Sequence, residues 1–475
     1  MREAEGVHIP RRSTYTVVSA MGYFLDGYDL SVISVFTYVL VTFNIFKYTE
    51  FEEAFVSGSA LLGAMVGALL FGHYSDRIGR RYLYIFDLIF FAVFAILSAL
   101  ATNIVQMIVF RFFVGWGVGA DYALSPVFAS EMYPNGGRGR GYGWIWAFWS
   151  IGAGVAFLIG YLFYLHNPLT SWRYALGIGA VPAVIVIALR TRMPESSRWK
   201  IVEKGEGAVS EAMALSSQSG LSEEDIRALL REREQERSTS PGSISALFRG
   251  DYLKRTLVIW VQWILYDIAG YGFGLYSPLI LSDLGIKHAA SIWFSALLYV
   301  PGFLGALGAA YLNDSFGRRP LQMIGFGGMA LAMLFVSISA RFVYLLPVGI
   351  VGLIIWYGIG NLGPGNTMGL YAIEMLPTKL RSTSMGAATS ITRFVSFLSA
   401  FEFPYITHSL GKLVFFEILL VLMVVALVFT VFFTPETRGL SLEQIATSRY
   451  VVGRGRPRLV GGKEGDGADD HSSTR

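Results

Sequence analysis

Residues 72–81 read GHYSDRIGRR, and residues 311–320 read YLNDSFGRRP. In each, an aspartate (Asp76 or Asp314) is followed three residues later by Gly-Arg-Arg, as Gly79-Arg80-Arg81 and Gly317-Arg318-Arg319. The copies lie 238 residues apart in a chain of 475. Other pairs keep nearly that spacing. Glu131-Met132-Tyr133-Pro134 precedes Glu374-Met375-Leu376-Pro377 by 243 residues, and Pro194-Glu195 precedes Pro435-Glu436 by 241. Asp26 and Asp267 are also 241 apart. Matches at a near-constant offset predict one structural unit, duplicated and joined by a linker.

Composition says what the unit is made of. Hydrophobic residues make up 53% of the chain and charged residues 15%, with a mean hydropathy of +0.51. A soluble domain carries roughly a quarter charged residues. Long apolar runs fall near 16–43, 54–75, 82–101, 103–131, 139–165 and 172–191. Six more fall near 255–283, 287–312, 320–339, 342–374, 382–407 and 411–433. Each reaches the ~18 residues needed to cross a bilayer. The expected fold class is an all-α polytopic membrane protein, with twelve transmembrane helices as two pseudo-symmetric six-helix bundles around a central cavity.

The expected organisation is an N-terminal segment 1–15, a first bundle 16–193, a connector 194–254, a second bundle 255–438 and a tail 439–475. The connector contains LSEEDIRALLREREQER, a short charged helix. The tail ends in GGKEGDGADDHSSTR, too poor in apolar residues to order itself, and is expected to be disordered. The first run is too long for a cleaved signal and no small-residue cleavage site follows it. The absence of cysteine excludes disulfides. Loops after even-numbered spans hold Arg77, Arg80, Arg81, Arg138, Arg140, Arg318, Arg319, Lys379 and Arg381, whereas the opposite loops hold few cations. That asymmetry predicts both termini in the cytoplasm, with the cell membrane as the expected location.

Two six-helix bundles on a cytoplasmic linker, with the repeated acid-plus-arginine loop, PESSRW at 194–199 and PETRGLSLEQI at 435–445, resemble the major facilitator superfamily over roughly residues 15–445. The resemblance implies a secondary transporter working by alternating access. Gly72 permits a close helix approach, and Asp76 at a helix end can pair with arginines or cap a neighbouring helix. Gly72, Asp76, Arg80, Arg81, Glu131, Arg138, Asp314, Arg318, Arg319, Glu374 and Arg381 are therefore the expected gate residues.

Charges inside the runs need a reason, because each costs several kcal/mol if left unpaired. Asp267 lies 12 residues after Arg255 and Arg393 lies 12 after Arg381, about 18 Å along a helix in each case. Asp121 is 10 residues before Glu131, and Asp26 is 15 after Arg11. These four groups fall in one central layer and should face a shared watery cavity. Trp263, Asp267 and Tyr271 are spaced four apart and form one stripe suited to stacking on and hydrogen-bonding a solute. Asp26 and Asp29 are crowded on one helix. A buried acid that takes up and releases a proton would couple transport to a proton gradient; Asp29 could instead bond the backbone near Gly27.

GVGADYALS at 117–125, WILYDIAGYG at 263–272 and GPGNTMGLYAIEMLPTKLRS at 363–382 are similar to segments of the phosphate:proton symporter family. That resemblance implies proton-coupling acids at Asp26 (or Asp29) and Asp121, and substrate contacts at Tyr122, Trp263, Asp267 and Tyr271. Departures fall at Trp149 in place of a glutamine, at Gly365 with Asn366 beside it, and at Arg393 in place of a lysine. DGYD at 26–29 resembles aromatic-acid:proton symporters, and PETRGLSLEQI resembles sugar porters.

The expected function is proton-coupled symport of inorganic phosphate or a small organic anion. A proton-coupled sugar transporter and a non-transporting nutrient sensor of the same fold are the alternatives. An enzyme is not expected: no nucleotide loop, HExxH motif or Ser/His/Asp set can be assembled. Neither cofactor, metal nor nucleic acid is expected. The partners are a small solute, protons and the lipid bilayer, and the chain is expected to be monomeric.

Overall fold

The computed structural model of the chain describes residues 12–131, 137–193, 195–209, 226–227, 229–230, 244–283, 285–286, 289–452 and 457–460. Spans 1 to 5 are single helices, Arg12–Phe43, Glu50–Ile78, Leu83–Leu100, Ile104–Glu131 and Arg138–His166. Span 6 is broken into Ser171–Ile178 and Ala180–Arg190. Pro182 has no N–H to donate back to Ile178, so the ladder lapses at that point. In the second half, span 7 is Gly250–Gly274, span 8 Ala289–Phe316 and span 9 Arg318–Arg341. Span 10 is broken into Leu346–Leu362 and Pro364–Glu374, while Thr378–Ser409 and Lys412–Phe433 are spans 11 and 12. The break in span 10 has two causes: Pro364 cannot donate to Gly360, and Gly363 lies against span 9, where a Cβ would come 2.5 Å from Leu321 O.

The twelve expected spans are thus present. Among the described residues, ten are long and apolar enough to cross a membrane. Spans 7 and 11 fall short because they turn polar groups inward: Gln262 and Asp267 on one, Thr383, Thr389, Thr392, Arg393 and Ser396 on the other, all buried. Large apolar side chains such as Val181, Val184, Val421 and Phe432 point outward instead, as lipid requires.

The two halves meet along two seams, span 2 against span 11 and span 5 against span 8. Small residues set the approach. A Cβ on Gly72 would lie 2.7 Å from Ser382 O, and one on Gly143 would lie 2.4 Å from Ala310 Cα.

The connector and tail differ from expectation. Residues Ser197–Lys204 of the connector are helical, and Ile201 and Val202 pack on Ile226 and Leu229; the rest of the expected charged helix lies outside the described residues. Disorder expected from Gly439 onward does not hold for the described residues 439–452 and 457–460, and the rest of the tail lies outside the described residues. Leu442–Thr447 is a helix with a capping box at Ser441, and strands Arg449–Val451 and Arg458–Val460 pair antiparallel. Leu442, Ile445 and Tyr450 are buried, and Arg255 donates to Ile445 O at 2.9 Å. Local apolar burial and an arginine anchor outweigh a polar overall composition here.

Candidate functional site

A cavity with an open volume of about 720 Å³ lies between the halves. Its walls come from spans 1, 5, 7, 8, 10 and 11, so it closes only when both bundles are together. Of the residues expected to bind substrate, Trp149, Asp267, Tyr271 and Arg393 line it. Arg393 Nη1 stands 3.3 Å from Asp267 Oδ2, and Ser396 Oγ donates to the same oxygen at 3.4 Å. The Arg393 guanidinium is also 4.8 Å from the Tyr122 ring and 4.5 Å from the Tyr271 ring. Tyr122 therefore sits directly behind the cation without lining the cavity. Trp263 is buried one turn before Asp267 and is likewise not part of the lining. Asn366 lies elsewhere: its Oδ1 accepts from Asn313 Nδ2 at 2.7 Å, in a contact layer that reaches Gly139 of the first half.

The expectation that four charged groups share one cavity is met only by Asp267 and Arg393. Asp26 and Asp121 are buried inside the first bundle. Asp121 Oδ1 accepts from Arg190 Nη2 at 2.5 Å and from Ser125 Oγ at 2.8 Å. Arg190 also bonds Asp87 at 3.1 and 3.2 Å, with its guanidinium 3.6 Å from the Tyr84 ring. One arginine thus faces two carboxylates. The closeness of spans 1 and 4 comes from Gly22, where a Cβ would fall 2.2 Å from Asp121 Oδ2. Asp26 is one turn further along that same span. Its Oδ2 and the Oδ2 of Asp121 are buried without a hydrogen-bond partner.

Asp29 is differently placed. Arg111 grips it with both terminal nitrogens at 2.6 Å and adds a bond to its carbonyl at 3.0 Å. A bidentate charge-assisted pair of this kind ties span 1 to span 4. Between the first-half acids and the cavity stand Tyr23 and Tyr122, ring centroids 5.0 Å apart, both hydroxyls buried and unpartnered.

The duplicated loops make a matching pair of contacts across the halves. Asp76 Oδ2 accepts from Thr383 N at 2.7 Å and Thr383 Oγ1 at 2.8 Å. Asp314 accepts from Gly139 N at 3.2 Å and Arg140 N at 3.0 Å, in the first turn of span 5, where the helix dipole favours an anion. Each aspartate pairs with its own arginine, Arg80 or Arg318, at 3.1 Å. Glu195 then clamps the Arg80 and Arg81 amides at 3.0 and 3.1 Å, and Glu436 clamps those of Arg318 and Arg319 at 3.1 Å each. Glu374 gathers Arg318 at 2.9 Å, Arg138 at 3.4 Å and Thr437 at 2.6 Å. Arg381 donates to Ile373 O at 3.1 Å. The side chain of Glu131 lies outside the described residues.

Sequence reasoning missed Asp87 and Arg190, and most of the cavity wall: Trp146, Tyr266, Tyr299, Trp356, Tyr357 and Asn361. Asp87 carried a usable signal, as a lone acid in the run 82–101. The aromatics carried none, since rings recur throughout these spans.

Comparison with known proteins agrees with this architecture. The model of the family described as "Sugar (and other) transporter" matches residues 15–448. The glucose transporter GlcP of Staphylococcus epidermidis is 28% identical, covering 90% of this chain and 95% of its own length. A probable inorganic phosphate transporter, 1-6, of Arabidopsis thaliana is also 28% identical, covering 91% of this chain and 93% of its own. Among solved structures, the proton:xylose symporter XylE bound to 6-bromo-6-deoxy-D-glucose superposes with a TM-score of 0.82 at 22% identity, covering 92% of this chain and 98% of that one.

Proposed function

Because the chain belongs to the sugar (and other) transporter family within the major facilitator superfamily, we propose that it is a proton symporter of a small anion that works by alternating access. The chain is an integral membrane transporter and not an enzyme. The observation that carries the anion is Arg393, a cation in the cavity wall that is paired with Asp267 through Nη1 and whose Nε has no hydrogen-bond partner. Buried donors left unmet cost about 1–3 kcal/mol each, so an acceptor arriving there is favoured.

In this reading Asp26 and Asp121 carry the proton. Both keep a buried, unpartnered carboxylate oxygen, and the acids Asp87 and Asp121 share the single cation Arg190. Asp29, held by Arg111, acts as a strut. Solute and proton would then occupy separate sites, joined through Tyr23 and Tyr122. The Asp76–Thr383 and Asp314–span 5 contacts serve as the cytoplasmic gate, broken when the cavity opens inward. Gly72 sets the approach at that end, and the Glu374 cluster braces the second half. The protein is expected in the cell membrane as a monomer with both termini cytoplasmic.

A hexose is the second reading, favoured by the stacked Trp146 and Trp149 (centroids 5.6 Å, 7° between planes), a flat apolar face on which a sugar ring can lie. Proteoliposome uptake tests the proposal. Solute entry should acidify the lumen and stop when a protonophore removes the gradient. Uphill uptake that persists without a proton gradient would sink it. Arg393→Ala should weaken anion affinity about ten- to a hundredfold, since a hydrogen bond to a charged group contributes about 1.5–3 kcal/mol. If Arg393 only neutralises Asp267, pairing Arg393→Ala with Asp267→Asn will restore both stability and affinity.

A further inference from the structure

We infer that the anion is an organic carboxylate with a flat, ring-bearing body, and that Trp149 selects it. The inference rests on the symport reading above and narrows its substrate. Three polar groups on residues that line the cavity are buried and unmet: Trp149 Nε1, Tyr357 Oη and Arg393 Nε. Two of them can only donate, and the tyrosine hydroxyl can donate as well as accept. Two of the acceptors in the wall are already used. Asn361 Oδ1 takes Trp146 Nε1 at 2.6 Å, and Asp267 Oδ2 takes Ser396 and faces Arg393. The unmet atoms are thus chiefly donors, and a carboxylate brings two oxygens that accept and never donate.

The rest of the wall describes the rest of the solute. Seven of the fifteen lining residues are aromatic, so most of the surface a solute meets is ring face or ring edge. Tyr299 leans on Trp149 at 6.1 Å and on Tyr357 at 5.0 Å, closing the aromatic wall around the unmet donors. Span 7 adds a trough to the wall. Gly270 and Gly274 are one turn apart, and a Cβ on either would meet nothing within 4 Å. Ring faces carry negative charge density. A phosphate spreads its oxygens in every direction and would turn several of them on those faces, with one arginine to answer them. A hexose spreads hydroxyls around its rim and brings no charge for Arg393 to answer. A carboxylate gathers its charge at one end, on Arg393 and Trp149 Nε1, and leaves a ring free to lie in the trough.

The purified full-length protein, followed by thermal stability and tryptophan fluorescence, provides the test with benzoate, acetate, phosphate and glucose as probes. Benzoate should bind at least about tenfold more tightly than the other three. Trp149→Gln keeps an N–H donor but removes the ring, and should lower benzoate affinity about tenfold more than it lowers acetate affinity. Gly274→Val fills the trough and should act in the same direction. The melting temperatures of the unliganded variants show that both fold. Phosphate or glucose binding more tightly than benzoate, or no binding of benzoate at all, overturns the inference. Lumen pH in proteoliposomes, measured against liposomes without protein, separates this from the parent reading. Proton entry with phosphate or glucose alone keeps symport and removes the carboxylate; benzoate binding and exchange without proton entry does the reverse.

Discussion

Thr383→Val deletes one bond of the latch between spans 2 and 11 and nothing else of comparable size. The threonine is 2% exposed, and valine keeps its shape, so the packing around it should hold. The bond removed is the 2.8 Å contact from Thr383 Oγ1 to Asp76 Oδ2; the 2.7 Å bond from the Thr383 amide remains. Donor and acceptor belong to opposite halves, so this bond exists only while the halves are together at that end, the cytoplasmic one in the reading proposed above. A hydrogen bond to a charged group contributes about 1.5–3 kcal/mol. At about 1.4 kcal/mol per factor of ten, the open-to-closed ratio at that end should rise roughly ten- to a hundredfold. The sequence supplies the assay. With no cysteine in the chain, Gly270→Cys adds a single thiol in the cavity wall, at a position where the added Cβ meets no neighbour. Its labelling by a charged, membrane-impermeant thiol reagent applied to the cytoplasmic face should accelerate by that factor until opening saturates. Asp76→Asn should accelerate it further. Labelling that is unchanged in both variants refutes the claim that this contact holds the cavity shut from that side.

Three further outcomes follow from other contacts. Phe397→Ala removes a ring of span 11 that meets Phe55 of span 2 at 5.5 Å, across the far end of the same seam. Aromatic pairs add about 0.5–1.5 kcal/mol beyond the area they bury, so the thiol of Gly270→Cys should label about two- to tenfold faster from the opposite face and no faster from the cytoplasmic one. Asp29→Asn strands the buried Arg111 and should lower the melting temperature by an amount corresponding to about 3–5 kcal/mol, whereas Asp29→Asn with Arg111→Met should recover most of it. Asp121→Asn keeps a hydrogen-bonding group of the same size but cannot release a proton; it should abolish uphill accumulation and retain exchange of labelled for unlabelled solute. Loss of both activities together, in a variant that melts normally, would assign Asp121 to binding instead.

How much of this was legible depends on what a residue stands out against. A charge in an apolar run is conspicuous, and helical rise gives its depth, so Asp267 and Arg393 could be set in one layer before any coordinates. Which way a side chain turns about the helix axis is fixed by neighbouring spans, and that is where the reading stopped. Asp26 and Asp121 share the depth of Arg393 but face into the first bundle, because Gly22 lets spans 1 and 4 close over them. Asp29 could be read as a proton carrier or as a structural acid, and Arg111, the bidentate partner 82 residues away, was not visible in that reading. Trp146, Tyr299 and Tyr357 were invisible for the opposite reason: one ring among many carries no contrast, and only packing decides which of them face a cavity. The duplicated loops were the easiest part, since their glycines and paired charges recur at one offset. The ordered tail was the hardest, because Tyr450 finds its pocket through a contact with Asp251, 199 residues upstream.

The two glutamate clamps have a consequence for how such a chain is made. Glu195 closes on the amides of Arg80 and Arg81, and Trp199 Nε1 reaches Asp76 O at 2.9 Å, so every partner in the first clamp lies before residue 200. The second clamp joins Arg318 and Arg319 to Glu436 in the same manner, wholly within the later half. A ribosome that has emitted the first clamp's last partner, Trp199, has therefore already delivered everything that clamp needs. The first bundle can lock its loop in the bilayer while the second is still being translated, as N-terminal units generally do during synthesis. Asp76 then waits for Thr383, which arrives 307 residues later, so the union of the halves follows the locking of the first loop.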